Sequence, residues 1–166
     1  MILWVQAHSV FALEKDTQAP NFYLRGLKGN DFFASKIYGE NAELGQVVVL
    51  SFFATWCIPC RAEAPQLQKL SNSFPEVVFY LVSVKDSEDQ VLKWLEAYKI
   101  EMDVLMDRYG RTAKKFDVIG LSSTGTEVAS LPSLFIIDST GEILLQHTGY
   151  KAGDELEISR ILELTQ

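Results

Sequence analysis

The sequence predicts an α/β domain, a central mixed sheet flanked by helices. Three observations carry this expectation. Residues 47–53 (VVVLSFF) and 77–84 (VVFYLVSV) are continuous apolar runs rich in β-branched and aromatic residues. Strands buried on both faces of a parallel sheet read this way. Each run leads into a helical pattern, which is how parallel strands are joined. The last third changes character. Residues 134–137 are a strand, Asp138-Ser139-Thr140-Gly141 a turn, and 142–146 a strand pairing back antiparallel.

Taken in order, residues 1–13 read MILWVQAHSVFAL. The stretch is apolar, interrupted by Gln6, His8 and Ser9, and shorter than the ~20 residues that span a bilayer. It lacks the basic start of a full signal peptide, although Val10-Phe11-Ala12 would serve as a cleavage site. Two readings stand: the tail of a secretory signal whose start is missing, or an N-terminal strand or arm. Residues 1–17 are therefore set apart from a single domain at 18–166. Residues 15–19 read as a loop and 20–24 as a short edge strand, where Pro20 is tolerated. Gly26, Gly29 and Asn30-Asp31 mark turns.

After the strand at 47–53, a helix runs to about Ser73, kinked by Pro65, which removes a helix hydrogen bond. Ser87 and Gln90 form a capping box, and Val91, Trp94, Leu95 and Tyr98 follow at helical spacing. A short extended piece at 104–106 and a short helix at 109–116 come next. Residues 119–130 hold Gly120, Gly125 and a Ser/Thr cluster, the mark of a loop without a core role. Ile158, Ile161 and Leu162 give a final helix one apolar face.

The chain has 166 residues, 48% hydrophobic and 22% charged, enough for one domain with a real core. Its net charge is −7. No basic cluster interleaved with aromatics occurs, so nucleic acid is not an expected partner. No cofactor is expected.

Both cysteines lie in one four-residue window, Trp56-Cys57-Ile58-Pro59-Cys60, between a buried strand and a helix. A disulfide closing so small a loop constrains the unfolded chain little. It is a poor staple, and a reversible dithiol switch is the better reading. Two thiols packed side by side as small hydrophobes would not explain why every cysteine sits here. Cys57 heads the helix, where free backbone N–H groups and the helix dipole favour a thiolate. It is expected to attack, exposed, while a more buried Cys60 resolves the mixed disulfide. Glu63 lies one turn beyond Cys60. Buried, its pKa would rise and it could relay a proton. Exposed, it would be an ordinary carboxylate near a helix start.

Ala19-Pro20-Asn21-Phe22, the stretch from Phe53 through Trp56-Cys57-Ile58-Pro59-Cys60-Arg61-Ala62-Glu63, and Leu131-Pro132-Ser133 together resemble the thioredoxin fold. They are most similar to its TlpA/ResA-like branch of extracytoplasmic thiol-disulfide oxidoreductases. The resemblance covers roughly residues 18–164. Glu63 fills a position typical of that branch. Cytosolic thioredoxins carry a buried Asp six residues before the first cysteine, and here Ser51 stands there. Residues 119–130 are longer than the family needs before its proline.

The resemblance implies an oxidoreductase acting on protein thiols or disulfides, as a reductant, for example in cytochrome c maturation. It implies a periplasmic or outer cell-envelope location, a membrane electron donor as a candidate partner, and a monomer. It implies a cis bond before Pro132, facing the cysteines, with Leu131 offering backbone groups to a bound peptide strand. Trp56 and Pro59 would join this substrate-binding surface; simple packing is the other reading of Trp56. Trp94 and Tyr109 read as core or surface aromatics.

Two other readings of the same fold compete. A peroxiredoxin would carry Thr three residues and Pro seven residues before its reactive cysteine, where Ala54 and Leu50 stand. A metal chaperone would want a wider cysteine spacing and a distant His. His8 and His147 show no ligand spacing, and no metal is expected. Arg61 stands where covalent haem attachment needs His.

Overall fold

The computed structural model describes residues 17–166, so the readings of residues 1–16 lie outside the described residues. The elements are β1 (Tyr23–Gly26), β2 (Phe32–Phe33), α1 (Ala34–Ile37), β3 (Val48–Phe53), α2 (Ile58–Ser73), β4 (Val78–Val84) and α3 (Glu88–Tyr98). They continue with β5 (Asp103–Asp107), α4 (Arg111–Lys115), β6 (Ile119–Leu121), β7 (Glu127–Ala129), β8 (Ser133–Ile137), β9 (Ile143–Thr148) and α5 (Asp154–Glu163). Seven strands form one sheet in the order β2-β1-β5-β4-β3-β8-β9. β3, β4 and β5 run parallel, and β8 lies antiparallel to β3.

Every residue of β3 is buried, as a run apolar at every position but Ser51 requires of a strand covered on both faces. Successive side chains point to opposite faces. Val49, Phe53, Leu81, Val104, Leu134 and Ile136 share one core with α2, α3 and α5. Val48, Leu50, Phe52, Val82, Leu105 and Phe135 share the other with β1, β2 and α4. The parallel strands end together, so the turns after β3, β4 and β5 gather at one end of the sheet, where β8 begins.

The capping box of α3 is complete: Ser87 Oγ accepts from Gln90 N and Gln90 Oε1 accepts from Ser87 N. α2 continues through Pro65 to Ser73. Three expectations need correction. The N-terminal strand lies at Tyr23–Gly26 and is not an edge, because β2 folds back outside it. The turn between them needs Gly26, where a side-chain carbon would sit 2.0 Å from the Asn30 carbonyl oxygen. β2 and α1 are too short to leave a periodic signal. The short helix spans only Arg111–Lys115, since Gly110 is left-handed at φ 67°.

Residues 119–130 are not a bare loop. β6 and β7 pair antiparallel as a hairpin, and Ile119 is buried in the core. The Ser/Thr/Gly cluster supplies its turn, with Ser122 Oγ accepting from Thr126 N. Three-residue strands containing Gly120 and Glu127 carry no strand pattern of their own.

Candidate active site

β3 stops at Phe53 and the chain turns, with Cys57 N donating to the Ala54 carbonyl at 3.0 Å. The turn is anchored from the neighbouring strand. Asp86, buried just past β4, accepts from Thr55 N at 2.9 Å, Thr55 Oγ1 at 2.8 Å and Ser83 Oγ at 3.1 Å. Buried backbone N–H groups need such acceptors, and this one fixes the residue two before Cys57.

Cys57 is the N-cap of α2, and its Sγ accepts from Cys60 N at 3.3 Å. The sulfur thus sits at the positive end of the helix, where negative charge is stabilised. Pro59 falls in the first helical turn, where a missing N–H costs nothing. Cys57 and Cys60 are joined in a disulfide. Both are buried, 3% and 1% exposed, so the expected contrast in exposure is slight in this oxidised form. Trp56 and Ile58 stand out beside them, Trp56 63% exposed. Pro59 and Arg61 are exposed too, and the Arg61 guanidinium lies 6.0 Å from the Tyr98 ring.

Glu63 is 2% exposed, one turn along α2 from Cys60. The only hydrogen bond to its side chain among the described residues comes from Ser51 Oγ, which donates to Oε2 at 2.5 Å. Ser51 lies on the face of β3 that α2 covers, in step with Val49 and Phe53. Burial pushes the Glu63 carboxyl up to about 7; the Ser51 bond opposes this and the Asp154 charge adds to it. The group therefore changes protonation near neutral pH beside a cysteine pair. Asp154 heads α5, accepting from Lys151 N at 2.7 Å and pairing with His147 Nε2 at 3.0 Å. Tyr150 donates to Glu155 at 3.0 Å. Burial first, then Glu155, raises its phenol to about 12, so it keeps its proton.

The Leu131–Pro132 peptide bond is cis. Ser133 pairs with Phe52 in the β3–β8 ladder, which puts Pro132 at the end of β3 from which the cysteine turn departs. Leu131 packs against both cores, and Pro132 is buried. The sequence-expected residues Trp56, Cys57, Pro59, Cys60, Glu63, Leu131 and Pro132 thus share one end of the sheet. Trp94 is a core residue against Phe53, and Tyr109 is exposed.

Sequence reading missed Asp86 altogether and saw Ser51 only as a departure from a pattern. The signal for Asp86 was an acidic residue just past a buried strand, three residues after Ser83, with its other partner, Thr55, distant in sequence.

A disulfide at a helix start beside a cis-proline, on this sheet, defines a thiol-disulfide oxidoreductase of thioredoxin-like fold. More particularly, the chain belongs to the AhpC/TSA family, whose profile matches residues 16–146. It is 31% identical over 149 residues to the "Thioredoxin-like protein YneN" of Bacillus subtilis, covering 87% of this chain and 78% of that one. To the "Thiol-disulfide oxidoreductase ResA" of Geobacillus kaustophilus it is 27% identical over 148 residues, covering 88% and 76%. Among solved structures it is similar to a putative thiol:disulfide interchange protein DsbE from Chlorobium tepidum. That match has a TM-score of 0.76 and 26% identity, covering 93% of this chain and 99% of that one.

Proposed function

We propose that the chain reduces disulfides in protein substrates through Cys57. The carrying observation is the Cys57 sulfur at the head of α2, accepting the Cys60 N–H. In the reduced protein this position favours a thiolate, the attacking species in exchange. The Cys57 thiolate attacks a substrate sulfur, the substrate disulfide breaks, and its other sulfur leaves as a thiolate. Cys60 then attacks Cys57 Sγ, freeing the second substrate thiol and leaving the Cys57–Cys60 disulfide. Glu63 takes the proton that Cys60 must lose and returns it when the pair is next reduced. Trp56, Pro59, Leu131 and Pro132 form the surface on which the substrate lies.

Glu63 also supports the reducing direction. A carboxylate near the pair disfavours thiolate charge, and a less stabilised dithiol gives up its electrons more readily. The expected reduction potential is closer to about −270 mV than to about −120 mV. A reductant of protein disulfides is useful where disulfides form, which fits work outside the cytoplasm, with electrons from a membrane donor and cytochrome c maturation as one use. No helix among the described residues is long and apolar enough to cross a membrane. We take the working unit to be a monomer. Peroxide reduction is disfavoured because Leu50 and Ala54 occupy the Pro and Thr positions that chemistry needs.

Insulin reduction tests the assignment. Cys57→Ser should abolish it, and Cys60→Ser should trap mixed disulfides. Alkylation of the reduced protein at Cys60 before Cys57 would reverse the roles.

A further inference from the structure

The β6–β7 hairpin is seated on the domain at three places. Ile119 packs into the turn at Gly110, where a side-chain carbon would lie 2.6 Å from Ile119 Cδ1. Ser130 N donates to the Val118 carbonyl at 2.9 Å. Glu127 is held by two cations, Lys85 just past β4 at 2.6 Å and Lys114 on α4. The hairpin is thus a fixed wall.

Between this wall and Trp56 runs an open groove of about 500 Å³. Trp56 and Val84 form one side; Ile119, Val128 and Ala129 form the other, with Lys85 and Glu127 pairing across it. Trp56 and Val128 are both more than half exposed, 63% and 51%. Large exposed apolar side chains grouped around a groove mark a binding surface more often than scattered ones do.

We propose that this groove holds the stretch of a protein substrate adjoining its reactive cysteine and selects a bulky apolar side chain there. The inference rests on the exchange reaction proposed above. Continuity identifies the occupant. Any substrate sulfur bonded to Cys57 lies next to Trp56, and Trp56 is itself a wall of the groove, so the flanking residues of the bound chain pass into it. Charge narrows the choice. Lys85 and Glu127 pair with each other, so the lining of the groove carries no net charge. An uncharged apolar residue suits that lining, and a basic one does not.

The test uses three short peptides that differ at one position near a single cysteine, carrying Leu, Ser or Lys. Each cysteine is capped as a mixed disulfide with 2-mercaptoethanol. The reduced protein supplies two electrons: Cys57 attacks the peptide sulfur, 2-mercaptoethanol leaves as a thiolate, and Cys60 displaces the peptide thiol. Release of free peptide is followed by chromatography. The Leu peptide should react with a second-order rate constant roughly tenfold above both others, the effect of a partly buried leucine. Val128→Ser should cut that preference to about threefold or less, and Leu121→Ser, on the same hairpin outside the groove, should leave it intact. Equal rates for the three peptides, a lead for the Lys peptide, or an undiminished preference in Val128→Ser would each overturn the proposal. Reduction of 2-hydroxyethyl disulfide by the unaltered protein separates the two readings. Its absence sinks the exchange reaction itself, whereas its presence with equal peptide rates sinks only the groove.

Discussion

Ser51 and Glu63 meet at 2.5 Å across the interface between β3 and α2, both buried. Cytosolic thioredoxins place a buried carboxylate on the strand, at the position of Ser51. Here the strand supplies a hydroxyl and the helix supplies the carboxylate, so the acidic group is retained from the opposite wall. The change keeps a titratable carboxyl under the cysteine pair and gives it a donor that favours its charged form.

Glu63→Gln should remove a pH-dependent cost. The native carboxyl titrates near 7, above its ordinary 4.5, so folding favours its protonated form. Its contribution is full below about pH 4.5 and is lost as pH rises through about 7. The oxidised variant should therefore gain on the native protein as pH rises through those limits, reaching about 3 kcal/mol by pH 8. Denaturant unfolding at pH 4, 6 and 8 measures it. The same variant should lose the step near pH 7 in its exchange rate; an unchanged profile would remove Glu63 from proton transfer.

Ser51→Ala should act in the opposite sense on the same group. Without its donor the Glu63 carboxyl moves above about 7. A bond to a charged acceptor is worth roughly 1.5–3 kcal/mol and one to a neutral group about 1 kcal/mol. The variant should therefore be hurt more at pH 8 than at pH 4. Carboxyl NMR titration of Glu63 gives the shift directly.

Glu127 should titrate far below other surface carboxylates. Lys114 and then Lys85 hold it down to about 2. A lowered pKa means the pairing supports the fold above the ordinary carboxylate range and is lost as pH falls through about 2. Lys114→Ala should return the Glu127 titration toward 4.5, read by carboxyl NMR. A midpoint unmoved by that change would show that Lys114 does not hold the hairpin.

The sheet was legible where burial was symmetrical. Residues 47–53 and 77–84 announced themselves because strands covered on both faces need apolar side chains at nearly every position. The outer strands did not. β1 hides between turn residues, and β2, β6 and β7 are two or three residues long, held by partners distant in sequence. The cysteines were legible because their spacing is chemical. Glu63 could be placed relative to Cys60 by helix geometry, but its burial depends on α2 lying over Ser51 and on α5 closing the far side. Asp86 was not legible, since its partner Thr55 lies 31 residues away and nothing local marks the pair.

Asp86 should prove to be the residue that aims the cysteine turn. Its carboxylate accepts three hydrogen bonds, two of them from Thr55. Asp86→Ala would leave the Thr55 N–H and two hydroxyls without that acceptor, at a cost of about 2–4 kcal/mol. Asp86→Asn keeps one carbonyl oxygen and should lose about half as much. Because Thr55 is two residues before Cys57, the loosened turn should also slow insulin reduction severalfold at temperatures where each variant is fully folded, with Asn intermediate. Stability loss with an unaltered rate would make Asp86 a brace for the fold alone. A slower rate that follows the loss of Thr55 bonds, reproduced by Thr55→Val through its missing hydroxyl, would place its role at the redox turn.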